Sequence, residues 1–131
     1  MLIPVSLRRR TYLWNPSSGE LARLSELEAA LLAEAPQPLP AVCPTATRYA
    51  VAKYDSSAVD EAYAALRRRF AGAGTCSNVP RLVLPDGTSP DLAEAVLRAA
   101  GAAFPDEVIV LSANAEVRQL AAKLGVSVAA R

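Results

Sequence analysis

Asp106-Glu107-Val108-Ile109-Val110-Leu111-Ser112-Ala113-Asn114 is the stretch that decides the fold. Val108 to Leu111 is a β-branched run with no polar alternation, which predicts a strand covered on both faces and so a central parallel strand. Asn114 is placed to cap a helix bearing Val117, Leu120, Ala121 and Leu124, and Gly125 ends it before Val126-Ser127-Val128 returns to the sheet. Upstream, Ser89-Pro90-Asp91 is a helix start: a capping hydroxyl, a proline whose missing N–H costs nothing at the first position, and an acid at the positive end of the dipole. Its apolar face is Leu92, Val96, Leu97 and Ala100, and Gly101 is expected to stop it. The result is a right-handed β-α-β crossover preceded by a helix. In such sheets ligands meet the carboxyl ends of strands, so Ser112 to Asn114 is the first place to look for function.

Working outward, Arg81 to Leu84 reads as a strand stopped by the turn Pro85-Asp86-Gly87. Before it, Ser56 or Ser57 caps a helix with Val59, Tyr63, Leu66 and Phe70 on one face; Arg67, Arg68 and Arg69 lie near its end, and Gly72 and Gly74 break it. Gly72-Ala73-Gly74 follows a helix and lacks a third glycine, so it is not a dinucleotide fingerprint. Thr75 to Asn78 reads as loop. Thr11 to Trp14 reads as the first strand, and Ser17 with Glu20 has the spacing of a capping box, opening a helix with the face Leu21, Leu24, Leu27, Leu31 and Leu32. Ala35 to Pro40, with prolines at 36, 38 and 40, is an extended connector; Ala41 to Cys43 reads as a short strand ended by Pro44, and Thr45 to Tyr54 fits either helix or strand.

The alternation predicts one α/β domain over residues 1–131, with a mostly parallel sheet of four or five strands and helices on both sides in three layers. The chain has 131 residues, 14 basic against 13 acidic, for a formal net charge of +1. That balance argues against disorder and against a strongly basic nucleic-acid-binding protein. No stretch is apolar and long enough to cross a bilayer, and arginines follow a very short apolar run at the N-terminus, so the expectation is a cytoplasmic protein. Histidine is absent, which removes Ser-His and Cys-His nucleophile pairs, an imidazole base and His-bearing zinc sites. Cys43 and Cys76 read as small core residues.

This order of elements resembles the PIN domain, the metal-dependent ribonuclease fold of many bacterial toxin–antitoxin toxins, most of all over Asp106 to Asn114 and Val117 to Val128. The resemblance implies four acids at the carboxyl edge of the sheet, holding Mg²⁺ or Mn²⁺ to activate water against a phosphodiester. Carried over by position, those four are Asn15, Arg48 (or its neighbour Tyr49), Asp91 and Asn114: one acid of four. A hard divalent ion is held largely by charge, so neither metal nor other cofactor is expected, and with it no metal-dependent cleavage.

The leading reading is a PIN-like domain that has lost ribonuclease activity and binds RNA or a protein partner, as a homodimer. Arg8, Arg9 and Arg10 with Arg67, Arg68 and Arg69 are the candidate RNA contacts, although three consecutive helical residues spread over about 200° and cannot form one flat patch. The enzyme alternative is a Mg²⁺-dependent ribonuclease with relocated acids from Asp55, Asp86, Asp91 and Glu94. A third reading is a Rossmann-like interaction domain unrelated to nucleases. Asp91, Asn114 and Asn15 also have structural readings, as a first-turn acid, an N-cap and a turn residue. Trp14 reads as a core aromatic or a stacking surface at the mouth of the site.

Overall fold

The computed structural model describes residues 1–73 and 79–130. The readings of Gly74, of Thr75 to Asn78 as loop and of Cys76 lie outside them. Among the described residues the chain is mixed α/β, with five helices and two three-stranded sheets. It divides into two compact units, Met1–Arg23 with Thr75–Arg131, and Leu24–Gly74.

In the first unit, β1 (Ile3–Leu7), β2 (Arg10–Trp14) and β3 (Leu21–Arg23) form an antiparallel meander. β1 and β2 meet in register from Ile3 opposite Trp14 to Leu7 opposite Arg10, so Arg8 and Arg9 alone make the turn. The second sheet is parallel, in the order β4 (Arg81–Val83), β5 (Ile109–Ser112), β6 (Val128–Ala130). Its crossovers are α4 (Pro90–Ala103) and α5 (Ala115–Lys123). The caps predicted at Ser89 and Asn114 form, each side chain accepting from the backbone amide three residues on. Ile109 and Leu111 of β5 are fully buried, as the unbroken apolar run requires, with Leu82, Val96, Leu97, Ala100 and Ala121 around them.

Several elements differ from the sequence expectation. Strands expected in one mostly parallel sheet of four or five divide between two sheets, one of them antiparallel, because the first strand is half of a hairpin. Its partner β1 lies in the N-terminal stretch read above only as arginines after a short apolar run. No helix opens at Ser17. Asn15 and Gly19 instead close a tight loop, in which the Asn15 carbonyl accepts from the Gly19 amide at 2.7 Å and the Glu20 carbonyl from the Asn15 amide at 2.9 Å. Gly19 has φ +85°, and a Cβ there would lie 2.9 Å from Val83 Cγ2, so both backbone and neighbour demand glycine. The loop turns Leu21–Arg23 back along β2 as a strand. The Ser17 hydroxyl is shielded and finds no partner among the described residues. The capping box sits eight residues later, with Ser25 and Glu28 exchanging bonds at 3.1 and 3.2 Å at the start of α1 (Glu26–Glu34).

Gly101 does not stop its helix. α4 runs on to Ala103, and a Cβ at Gly101 would press Val126 Cγ2 at 3.3 Å, so that glycine serves close packing. Gly72 likewise lies inside the helix over Ser56–Ala73. The last strand begins at Val128, two residues later than expected, and Val108 precedes β5, half exposed at 49%.

The second unit is helical: α1, α2 (Thr45–Ala50) and α3 (Ser56–Ala73), with α1 packed on α3. α3 buries Val59, Tyr63 and Leu66, the spacing read from the sequence. Ala41 to Cys43 is a bend, not a strand; Pro40 and Pro44 bracket it and withhold the amides that a ladder needs. Thr45 to Ala50 resolves as helix, followed by a turn over Val51 to Lys53.

Candidate functional site

Each of the four positions implied by the PIN resemblance makes a polar contact within its own unit. Asn15, just past β2, turns its carboxamide oxygen onto the Ser17 amide at 3.0 Å, an Asx turn. Asn114, just past β5, gives its carboxamide oxygen to the Val117 amide at 3.0 Å as the cap of α5. Asp91, in the first turn of α4, accepts from Arg8 Nη2 at 3.2 Å. Arg48, on α2 in the other unit, is paired with Asp60 of α3.

Within the first unit, strand β4 lies between the two asparagines. The amides of Arg81 and Val83 donate to the Pro16 and Gly19 carbonyls on one flank, while the Leu84 amide donates to the Ser112 carbonyl on the other. The loop that carries Asn15 and the strand end that precedes Asn114 thus lie on opposite flanks of β4. An oxygen-ligated divalent ion needs its donors at about 2.0–2.6 Å, and both carboxamide oxygens are already turned onto their own turns.

The relocated acids are likewise dispersed. Asp55 accepts from the Ser57 hydroxyl, Glu94 pairs with Arg98 one helical turn on at 3.1 Å, and Asp86 stands exposed in the turn after β4. Among the described residues no three Asp, Glu, Cys or His side chains cluster closely enough to hold a metal ion.

Trp14 is fully buried, its indole N–H donating to the Arg81 carbonyl at 2.8 Å and its ring meeting Phe104 edge-on at 5.8 Å. It is a core residue with a satisfied polar handle, not a stacking surface.

The arginine clusters fall in different units and differ in character. Arg8, Arg9 and Arg10 are all exposed at the β1–β2 hairpin tip, and Arg8 holds φ +57°, a conformation that costs a non-glycine residue roughly 1 kcal/mol. In α3, Arg67 donates to the Ala41 carbonyl at 3.3 Å, Arg69 to Glu28 at 3.4 Å, and Arg68 is exposed. That splay is the one the helical spacing predicts.

Sequence reading missed a second grouping. An open-sided cavity of about 210 Å³ in the helical unit is lined by Ala41, Val42, Cys43, Arg48, Asp60, Tyr63, Ala64 and Arg67. Burial pushes the Cys43 thiol up from its ordinary value; Arg48 opposes the shift and Asp60 adds to it. Burial likewise raises the Tyr63 phenol, beside Cys43 and against Arg67, and its hydroxyl donates to the Pro40 carbonyl at 2.7 Å. The hydrogen bond that Arg48 donates to Asp60 raises its guanidinium from the ordinary value. No periodic signal links these residues, since a bend and two helices separate them in sequence.

No family model, no curated protein and no solved structure matches this chain. Among the described residues no helix is long and apolar enough to cross a membrane.

Proposed function

We propose that this protein works by binding, without a metal-dependent cleavage step, and that its ligand is RNA engaged through the Arg8–Arg10 hairpin tip. One observation carries the reading: of the four positions where the PIN resemblance calls for metal ligands, Asn15 and Asn114 turn their carboxamides onto their own turns, Arg48 is a cation paired with Asp60, and the one acid, Asp91, faces Arg8. The hairpin supports the RNA half. Three adjacent arginines are exposed at the end of a two-stranded ribbon, with Arg8 facing Asp91, and such a cluster suits the anionic backbone of a nucleic acid. A PIN-like ancestry, with its three layers, rests on the β4-α4-β5-α5-β6 succession. The placement of Asn15 and Asn114 on opposite flanks of β4 favours the second reading, a Rossmann-like interaction domain unrelated to nucleases.

The test has two arms. Titration calorimetry of Mn²⁺ and Mg²⁺ is expected to give no saturating heat. Heat that saturates in the wild type and vanishes in Asp91→Ala restores the enzyme reading. Fluorescence polarisation with single-stranded RNA across a salt series is expected to show binding whose salt slope falls by about 2 when Arg8, Arg9 and Arg10 are all replaced by Gln, given about 0.7 per phosphate contact. An unchanged slope would remove RNA as the ligand of the hairpin.

A further inference from the structure

We infer that the cavity between the Ala41–Cys43 bend and helices α2 and α3 binds a small molecule carrying one carboxylate or phosphate group on a short apolar body. The inference is independent of RNA binding and of the PIN resemblance.

Charge gives the first reason. The lining holds two guanidiniums, Arg48 and Arg67, and one carboxylate, Asp60, already bonded to Arg48. With the thiol held neutral by burial, the wall carries a net single positive charge. A guanidinium has five N–H donors in a fixed fork. Asp60 engages Arg48 through Nη2, and the Ala41 carbonyl engages Arg67 through Nη1. These bonds hold the two side chains in place and leave further donors on both, the arrangement that suits an oxyanion. Asp60 thereby limits the site to a single anionic group, because a second would meet its charge.

Shape gives the second. At about 210 Å³ the cavity exceeds the space of a single water and falls below the roughly 300–1,000 Å³ of pockets that take drug-sized ligands. Ala41, Val42, Ala64 and the neutral Cys43 supply an apolar wall beside the guanidiniums. Val42, in the lining, is 74% exposed, unusually open for a branched aliphatic residue, and leaves apolar surface for a ligand to cover.

Cys43 makes the site testable by affinity labelling. In a Cys76→Ser background Cys43 is the only thiol. Iodoacetate and iodoacetamide alkylate a thiol by the same displacement: sulfur loses its proton to solvent, the S–C bond forms as the C–I bond breaks, and iodide leaves with the electron pair. They differ in the carboxylate alone, so the ratio of their rates, followed by mass spectrometry, reports anion recognition beside the sulfur. Arg67→Gln is expected to lower the iodoacetate-to-iodoacetamide ratio by about tenfold or more, the loss of one charge-assisted hydrogen bond. A ratio unchanged within about twofold would overturn the inference. A second measurement needs no variant: benzoate or inorganic phosphate at about 10 mM is expected to slow alkylation of wild-type Cys43 by both reagents to a plateau, well above a millimolar Kd. Protection by benzoate alone assigns a carboxylate ligand, and protection by phosphate assigns a phosphate monoester. Protection by neither would overturn the site.

Discussion

The Trp14 indole N–H donates to the Arg81 carbonyl at 2.8 Å, and the Arg81 amide donates to the Pro16 carbonyl at the same distance. These two bonds, with that from the Val83 amide to the Gly19 carbonyl, fasten the antiparallel meander to the first strand of the parallel sheet. The first unit coheres through this seam as well as through the core below it. Trp14→Phe removes the donor, strands a shielded carbonyl and leaves space beside Phe104. The expected loss is roughly 2–4 kcal/mol, the sum of an unsatisfied acceptor and a partial cavity, read by urea denaturation followed by circular dichroism. A loss below about 0.5 kcal/mol, the level of a typical surface substitution, would show that the seam adds nothing.

Asn114 separates the capping role from a ligand role. Asn and Asp are about equally good N-caps, and alanine costs about 1 kcal/mol. Asn114→Ala is therefore expected to lose about that much, while Asn114→Asp keeps wild-type stability within about 0.5 kcal/mol. Restoring the acid in this way is also expected to leave the melting temperature unchanged by added Mg²⁺, since Asn15 lies beyond β4 and Asp91 is paired with Arg8. A Mg²⁺-dependent rise in Tm for Asn114→Asp, absent from the wild type, would reveal a metal site one substitution away.

Much of the parallel half of the molecule was legible in the sequence, because its signals are local and agree with one another. Ser89 and Asn114 are caps at the expected positions, and the Val108 to Leu111 run contains the central parallel strand it predicts, although only the Ile109 and Leu111 face is fully buried while Val110 is half-buried and Val108 stands outside the strand. In the antiparallel half Thr11 to Trp14 was legible as a strand, but its pairing with β1 was not, since a hairpin whose turn is Arg8-Arg9 carries none of the Asn-Gly or Asp-Gly chemistry that marks such turns. Ser17 and Glu20 matched the spacing of a capping box, yet Gly19 adopts a left-handed conformation and makes close contact with Val83, which no local pattern encodes. The cavity was illegible for a further reason. Arg48 was singled out, but its partner Asp60 and its neighbours Cys43 and Arg67 come together only through the packing of a bend on two helices.

Arg8 carries opposing demands that one substitution can separate. Its φ of +57° suits glycine, and its pairing with Asp91 is between side chains that are both largely exposed, a contact worth about 0–1 kcal/mol. Arg8→Gly is expected to leave thermal stability unchanged or raised by up to about 1 kcal/mol, since relief of the strained backbone offsets the lost ion pair. The same change is expected to weaken RNA binding and to lower its salt slope by about 0.7. Stability and affinity moving in opposite directions would mark Arg8 as retained for binding. A fall in stability of more than about 1 kcal/mol would assign it to the fold instead.

The pH response of the helical unit follows from Cys43. Burial raises its thiol, so the folded state holds the proton more tightly than the unfolded chain does. The sign is fixed by that difference: the stabilisation from the neutral thiol is fully present below the unfolded value of about 8.5 and is lost as pH rises through the higher folded value. Tyr63, raised by burial and by Cys43, adds a loss of the same sign further into the alkaline range. Urea midpoints are therefore expected to fall above about pH 8.5 in the wild type and to fall less in Cys43→Ser, whose hydroxyl does not titrate there. Parallel alkaline slopes in the two proteins would place the pH dependence in other groups.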